Sequence, residues 1–126
     1  VTQPHEKRKH RRIALAHVME ARLVQGEVEA SGRVIDLSNV GAFIATDLEA
    51  KKGDLLEVHL LTTWGDPVPL PSIVARRSDA VRGRAREVPA GLGIVFSAKS
   101  APERSFIQQA VLKALEGEAQ EGERTP

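Results

Sequence analysis

The 126 residues carry 41% hydrophobic and 28% charged side chains, an ordinary balance for one globular domain with a single modest core. No apolar run approaches the eighteen or more residues of a spanning helix, and the lack of cysteine removes disulfides, thiolate metal sites and a thiol nucleophile together. The formal net charge of +1 hides an asymmetry: positions 5–12 hold five Lys or Arg against one Glu, a net of +4, so the other 118 residues sum to −3.

The chain opens at Val1 without an initiator Met, as expected of a processed or excised chain. Val1-Thr2-Gln3-Pro4 leads into charge rather than into the apolar stretch of a secretion signal, and with no cysteine this fits a cytoplasmic address. Positions 1–12 read as a flexible basic arm. Within it, Arg8-Lys9-His10-Arg11-Arg12 sets two arginines at an RxxxR spacing just ahead of the first hydrophobic run. Such an arm calls for an anionic partner.

Residues 13–98 read as short strands. Ile13 to Val24 favours extended structure, with Met19, Ala21 and Leu23 alternating against Glu20 and Arg22. Gln25-Gly26 makes a turn, and Val28 to Leu37 forms a second strand in which Gly32 marks a candidate bulge. Ser38 to Gly41 interrupts it before Ala42-Phe43-Ile44-Ala45 resumes. After the turn at Lys51-Lys52-Gly53-Asp54, Leu56, Val58 and Leu60 alternate with Glu57 and His59.

Trp64-Gly65-Asp66-Pro67 then reads as a hairpin connection. Pro67, Pro69 and Pro71 point to an edge strand or an irregular strand entry, because proline donates no ladder bond. Arg76 to Pro89 holds five arginines and few large aliphatics, the composition of an exposed loop. Gly91 to Phe96 is the last strand, and both Phe43 and Phe96 are expected in the core. Trp64 is read as a loop anchor rather than a partner contact.

Residues 100–117 carry helix punctuation. Ser100-Ala101-Pro102-Glu103 has capping-box spacing, and Phe106, Ile107, Ala110, Val111, Ala114 and Leu115 form one apolar stripe. Gly117 is the expected stop, leaving 118–126 as a disordered tail. Five or six strands with frequent turns and one terminal helix predict a small antiparallel barrel or sandwich.

Two constellations carry chemistry. Arginine's planar fork pairs with two acceptors at once, on a phosphate or on the O6 and N7 edge of guanine, and it stacks on purine faces. Asp36-Leu37-Ser38-Asn39-Val40-Gly41 is a DxSxxG element between strands. An ionised Asp36 accepts from the guanine N1–H and exocyclic amine, Ser38 adds a rotatable donor and acceptor, and Gly41 permits a positive φ or a close approach of ligand to backbone. The same element also suits a local turn in which Asp36 or Ser38 bonds nearby amides. His5, His10, His17 and His59 show no metal-ligand spacing, and no HExxH, GxSxG, GxGxxG or Walker motif is present. No catalytic residue and no metal site are therefore assigned, and an enzyme ranks last.

Glu6-Lys7-Arg8-Lys9-His10-Arg11-Arg12-Ile13 followed by Val34-Ile35-Asp36-Leu37-Ser38-Asn39-Val40-Gly41-Ala42-Phe43-Ile44 resembles a PilZ domain, and Gly91-Leu92-Gly93-Ile94-Val95-Phe96 is similar to a strand near that family's end. The resemblance covers roughly residues 6–116. It implies a six-stranded antiparallel β-barrel with a C-terminal helix, all-β otherwise, that binds cyclic di-GMP and does no catalysis. Carried across, Arg8 and Arg12 would hold phosphates and guanine edges, Asp36 and Ser38 would bond a guanine, and Gly41 would shape the turn.

Lys7, Arg11 and Gly93 are secondary candidate contacts. A basic residue at position 7 accompanies, in similar proteins, a stacked pair of ligand molecules. Val40 departs from the glycine found in many members, which implies a stiffer turn and weaker binding. Two other functions compete. One is an adaptor whose PilZ-like barrel docks a downstream protein with little or no dinucleotide. The other is a barrel that binds nucleic acid through the arm, for which three Phe, one Trp and no Tyr make a poor stacking platform.

Overall fold

The computed structural model of the chain describes residues 13–79, 81–82 and 87–124. Six strands, β1 (Ile13–Gln25), β2 (Val28–Leu37), β3 (Gly41–Thr46), β4 (Leu55–Leu61), β5 (Leu70–Ser78) and β8 (Gly91–Phe96), close into an antiparallel barrel in the order β1-β2-β3-β8-β5-β4. Between β5 and β8 lie two-residue strands, β6 (Val81–Arg82) and β7 (Glu87–Val88), which pair with each other. Helix α1 (Ala101–Arg124) ends the chain and packs against β1. Among the described residues, no helix is long and apolar enough to cross a membrane.

The period-2 pattern drives the closure. Leu23, Val34, Leu37, Ile44, Val58, Leu60, Leu70, Val74, Leu92 and Ile94 all point inward and share one core with Phe106, Ile107, Ala110 and Val111 of α1. A fully buried leucine or isoleucine contributes roughly 1.5–3 kcal/mol through apolar area removed from water. Among the described residues, Ser72 is the one polar side chain buried at these strands' inward positions, and its hydroxyl donates to the Leu70 carbonyl at 3.0 Å. The helix start follows the capping box. Glu103 N–H donates to Ser100 Oγ at 3.3 Å, while Glu103 Oε1 accepts from the Lys99 and Ser100 amides at 2.8 and 3.3 Å. Trp64, in the β4–β5 connection, lies against Phe106 with ring centroids 5.2 Å apart, so it anchors that loop to the helix.

Several expectations are corrected. Gly32 is not a bulge. It clears space for β3, because a Cβ there would come within 2.5 Å of Ile44 Cγ2. The irregularity in β2–β3 pairing falls between Val34 and Asp36 instead. Of the two readings of the proline run, the irregular strand entry holds, with Pro67 and Pro69 just ahead of β5; β5 is no edge strand, since it pairs with both β4 and β8, and the Pro71 carbonyl accepts from the Ser97 N–H at 2.7 Å. Proline is tolerated because it is the second residue of the strand, where the ladder has only begun.

The expected 76–89 loop is in part regular, with Arg76 to Ser78 inside β5 and a short hairpin beyond. The helix also runs through Gly117 to Arg124, where a stop and a disordered tail at 118–126 were expected. Alanine, glutamate and glutamine are good helix formers, and one interior glycine costs only about 1 kcal/mol, so a polar extension needs no buried face.

Candidate functional site

The site is built where β2 turns into β3 on the outer face of the barrel. Val34 and Leu37 both point into the core although they are three residues apart, which a regular strand cannot do. The bulge between Val34 and Asp36 supplies the extra residue and turns Asp36 outward. Its Oδ1 accepts the Phe43 N–H at 3.2 Å across the strand pair. The acid is thus fixed to the neighbouring backbone and half-exposed.

The turn that follows is held by Ser38. Its N–H donates to the Gly41 carbonyl at 2.8 Å, and its Oγ accepts the Val40 and Gly41 N–H groups, each at 3.2 Å. The hydroxyl lies 3.4 Å from the same Gly41 carbonyl, long for an O–H donor and hence weak. Only 2% of Ser38 is exposed. The turn reading of DxSxxG is what the geometry displays, with the serine side chain facing its own loop. Asn39 and Val40 occupy the exposed tip.

Gly41 does not use the left-handed freedom expected of it. Among the described residues, positive φ occurs only at Gly26 and Gly53. Glycine is required at 41 by close approach, since a Cβ there would sit 2.2 Å from the Ile94 carbonyl oxygen of β8. Val40 likewise adopts an ordinary negative φ, so its branched side chain brings no backbone strain to the turn.

Phe43 is buried, as expected of it, but it packs outside the cluster that fills the barrel. Ala42 and Ile44 point inward, so Phe43 faces out; its ring is nonetheless 5% exposed. It is covered on the barrel's exterior. A Cβ on Gly91 would come within 2.9 Å of the Phe43 ring, and the Arg76 guanidinium lies 5.7 Å from the ring centroid. Cross-strand pairing runs Asp36 to Phe43, Phe43 to Gly93 and Gly93 to Arg76, a single row over β2, β3, β8 and β5. Gly93 stands out in the sequence as a secondary contact, whereas Phe43 and Arg76 do not. The available signal was the pair of outward glycines, Gly91 and Gly93, alternating with inward Leu92 and Ile94: two bare positions on one strand face invite something large to lie over them.

Arg8, Arg12, Lys7 and Arg11 lie outside the described residues. β1 begins with Ile13 opposite Leu37 and Ala14 opposite Asp36, so the segment carrying the arginine pair joins the barrel beside the acid. His59 Nε2 lies 2.8 Å from Glu57 Oε1 on the outer face of β4, a surface pair. Among the described residues, no three His, Asp or Glu side chains cluster to hold a metal ion.

Comparison with known proteins gives one consistent answer. A family model described as "PilZ domain" matches residues 6–113. No curated protein matches the chain. Among solved structures, the PilZ domain of YcgR from Escherichia coli with c-di-GMP superposes with a TM-score of 0.78 at 13% identity, over 94% of this chain and 99% of that one. MrkH of K. pneumonia in complex with c-di-GMP gives 0.76 at 13% identity, over 96% of this chain and 57% of that one. The Bacillus subtilis inhibitor of motility gives 0.61 at 16% identity, over 88% and 55%. The chain spans 49% of the longer YcgR chain solved with c-di-GMP. These likenesses establish the six-stranded barrel, and the match over residues 6–113 places the chain in the PilZ domain family.

Proposed function

We propose that this domain is a non-catalytic receptor for cyclic di-GMP, seated on the outer face of the barrel between the DxSxxG turn and the basic arm. The observation that carries the reading is the outward-turned Asp36, anchored to the Phe43 amide and paired across from the start of β1. Two solved structures of the same fold, YcgR and MrkH, have c-di-GMP bound. In this reading Asp36 accepts from a guanine Watson–Crick edge, while Arg8 and Arg12 clasp phosphate and the O6 and N7 edge. Ser38 and Gly41 act through the turn that holds the acid in place.

Each charge-assisted bond from the arginines supplies roughly 1.5–3 kcal/mol, against roughly 1–2 kcal/mol of backbone entropy for each arm residue fixed. A handful of such bonds therefore suffices to hold a short clasp. Closing the arm changes the face that a downstream protein meets, which is how occupancy becomes output. A cytoplasmic address belongs to the same proposal.

Isothermal titration calorimetry with cyclic di-GMP is the test. The expected result is saturable heat with one ligand per chain, or two if Lys7 supports a stacked pair. Arg8→Ala and Arg12→Ala should each weaken binding at least about tenfold, equivalent to 1.4 kcal/mol. No heat at tens of micromolar ligand overturns the receptor reading.

A further inference from the structure

A second bulge mirrors the one that aims Asp36. Ser72 and Val74 of β5 point inward, and a regular strand would send Arg76 into the core after them. The pairing with β8 breaks between Val74 and Arg76 instead. The extra residue turns Arg76 out to the exposed face, opposite Gly93. Bulges of this kind re-aim side chains next to functional sites. Here two of them, on strands that do not touch, deliver an acid and a guanidinium to the two ends of one row: Asp36, Phe43, Gly93, Arg76.

The middle of the row is shaped to hold the guanidinium in place. Gly93 has no side chain, and a Cβ there would come within 3.0 Å of Arg76 Cγ and 3.1 Å of Nε. The bare backbone lets Arg76 lie down against β8 and reach over Phe43, at 5.7 Å from the ring centroid. Aromatic contact restrains a guanidinium while its N–H rim stays available for acceptors. Three strand spacings separate the ends, roughly 14 Å, more than a single base covers.

Resting on the receptor reading above, we infer that Arg76 is a further ligand-contact residue, which receives the purine distal to Asp36 and pairs its N–H fork with that base's O6 and N7 edge. Gly93 then contributes by leaving room for Arg76 rather than by touching the ligand. The barrel's own row thus spans both bases of a dinucleotide.

The test is calorimetry with cyclic di-GMP on the parent chain and on Arg76→Ala, Arg76→Lys and Gly93→Ala, with thermal unfolding of each in the absence of ligand. Arg76→Ala should weaken binding about tenfold or more, as loss of a bidentate charge-assisted pair does. Arg76→Lys should recover only part of it, because a point charge replaces the fork. Gly93→Ala displaces the flexible Arg76 side chain while keeping it present, and should weaken binding in the same direction.

A parent that binds, beside an Arg76→Ala variant whose Kd lies within about twofold of it, overturns the inference. So does an Arg76→Ala variant that loses only unliganded stability, since Arg76 would then serve merely as a cover for Phe43. A parent that gives no heat marks instead the failure of the receptor reading, and the inference falls with it.

Discussion

Replacing Ser38 with alanine separates two roles for the motif's hydroxyl. The serine is buried, and its Oγ is the acceptor for two backbone N–H groups at 3.2 Å. Ser38→Ala leaves the buried Gly41 N–H without that acceptor, at a cost of about 1–3 kcal/mol for an orphaned donor. The Val40 N–H is half-open to water and rehydrates, adding about 0.5 kcal/mol. The 3.4 Å contact to the Gly41 carbonyl is too long to add much. The loss is therefore about 2 kcal/mol in the unliganded domain. With an unfolding entropy of about 0.26 kcal/mol/K for this length, the melting midpoint should fall about 8 °C.

Thermal and urea unfolding followed by circular dichroism, without ligand, read that loss directly. Cyclic di-GMP affinity should fall as well, because the turn that presents Asp36 loosens. An unliganded midpoint within about 2 °C of the parent, together with a collapse of affinity, would refute the reasoning. The hydroxyl would then be free for the ligand and the turn would hold without it.

Three further outcomes are expected. Gly41→Ala drives a Cβ to 2.2 Å from the Ile94 carbonyl oxygen, a backbone atom that cannot swing aside; opening the β3–β8 pair should cost about 2–3 kcal/mol, visible as a lower urea midpoint. Asp36→Asn keeps an oxygen for the Phe43 amide, so the link to β3 survives, while calorimetry should show affinity for the dinucleotide falling about tenfold or more as the carboxylate's charge is lost. The Glu103 carboxyl is held below its ordinary value of 4.5, first by the Lys99 amide and then by the Ser100 amide. Its contribution is therefore complete above that value and disappears as pH falls through the depressed one. Parent and Glu103→Gln melting curves should differ near neutrality and converge in acid; a constant gap across the series would contradict the cap's role.

The strand positions were legible because inward Leu, Ile and Val recur at every second residue in β4, β5 and β8, and the helix start because Ser100 and Glu103 have a fixed spacing. Whether the strands formed a sandwich or a closed barrel was open to residue-level reading, since β5's place between β4 and β8 is a long-range fact that no local pattern encodes. The bulges were equally hidden. An extra residue at Ile35 or Ala75 leaves composition unchanged and alters only the phase, so the outward turn of Arg76 was hidden and it looked like part of a loop. The crowding that requires glycine at 41 was out of local reach, because it comes from Ile94, more than fifty positions away.

The indole of Trp64 is the chain's single tryptophan, and it rests on Phe106 of the terminal helix rather than on the Asp36 to Arg76 row. Its emission is thus a native optical gauge of how firmly α1 sits on the barrel. A spectrum that shifts during a dinucleotide titration would register transmission from the outer face to the helix, while a constant spectrum alongside calorimetric saturation would confine the response to the strands and the arm.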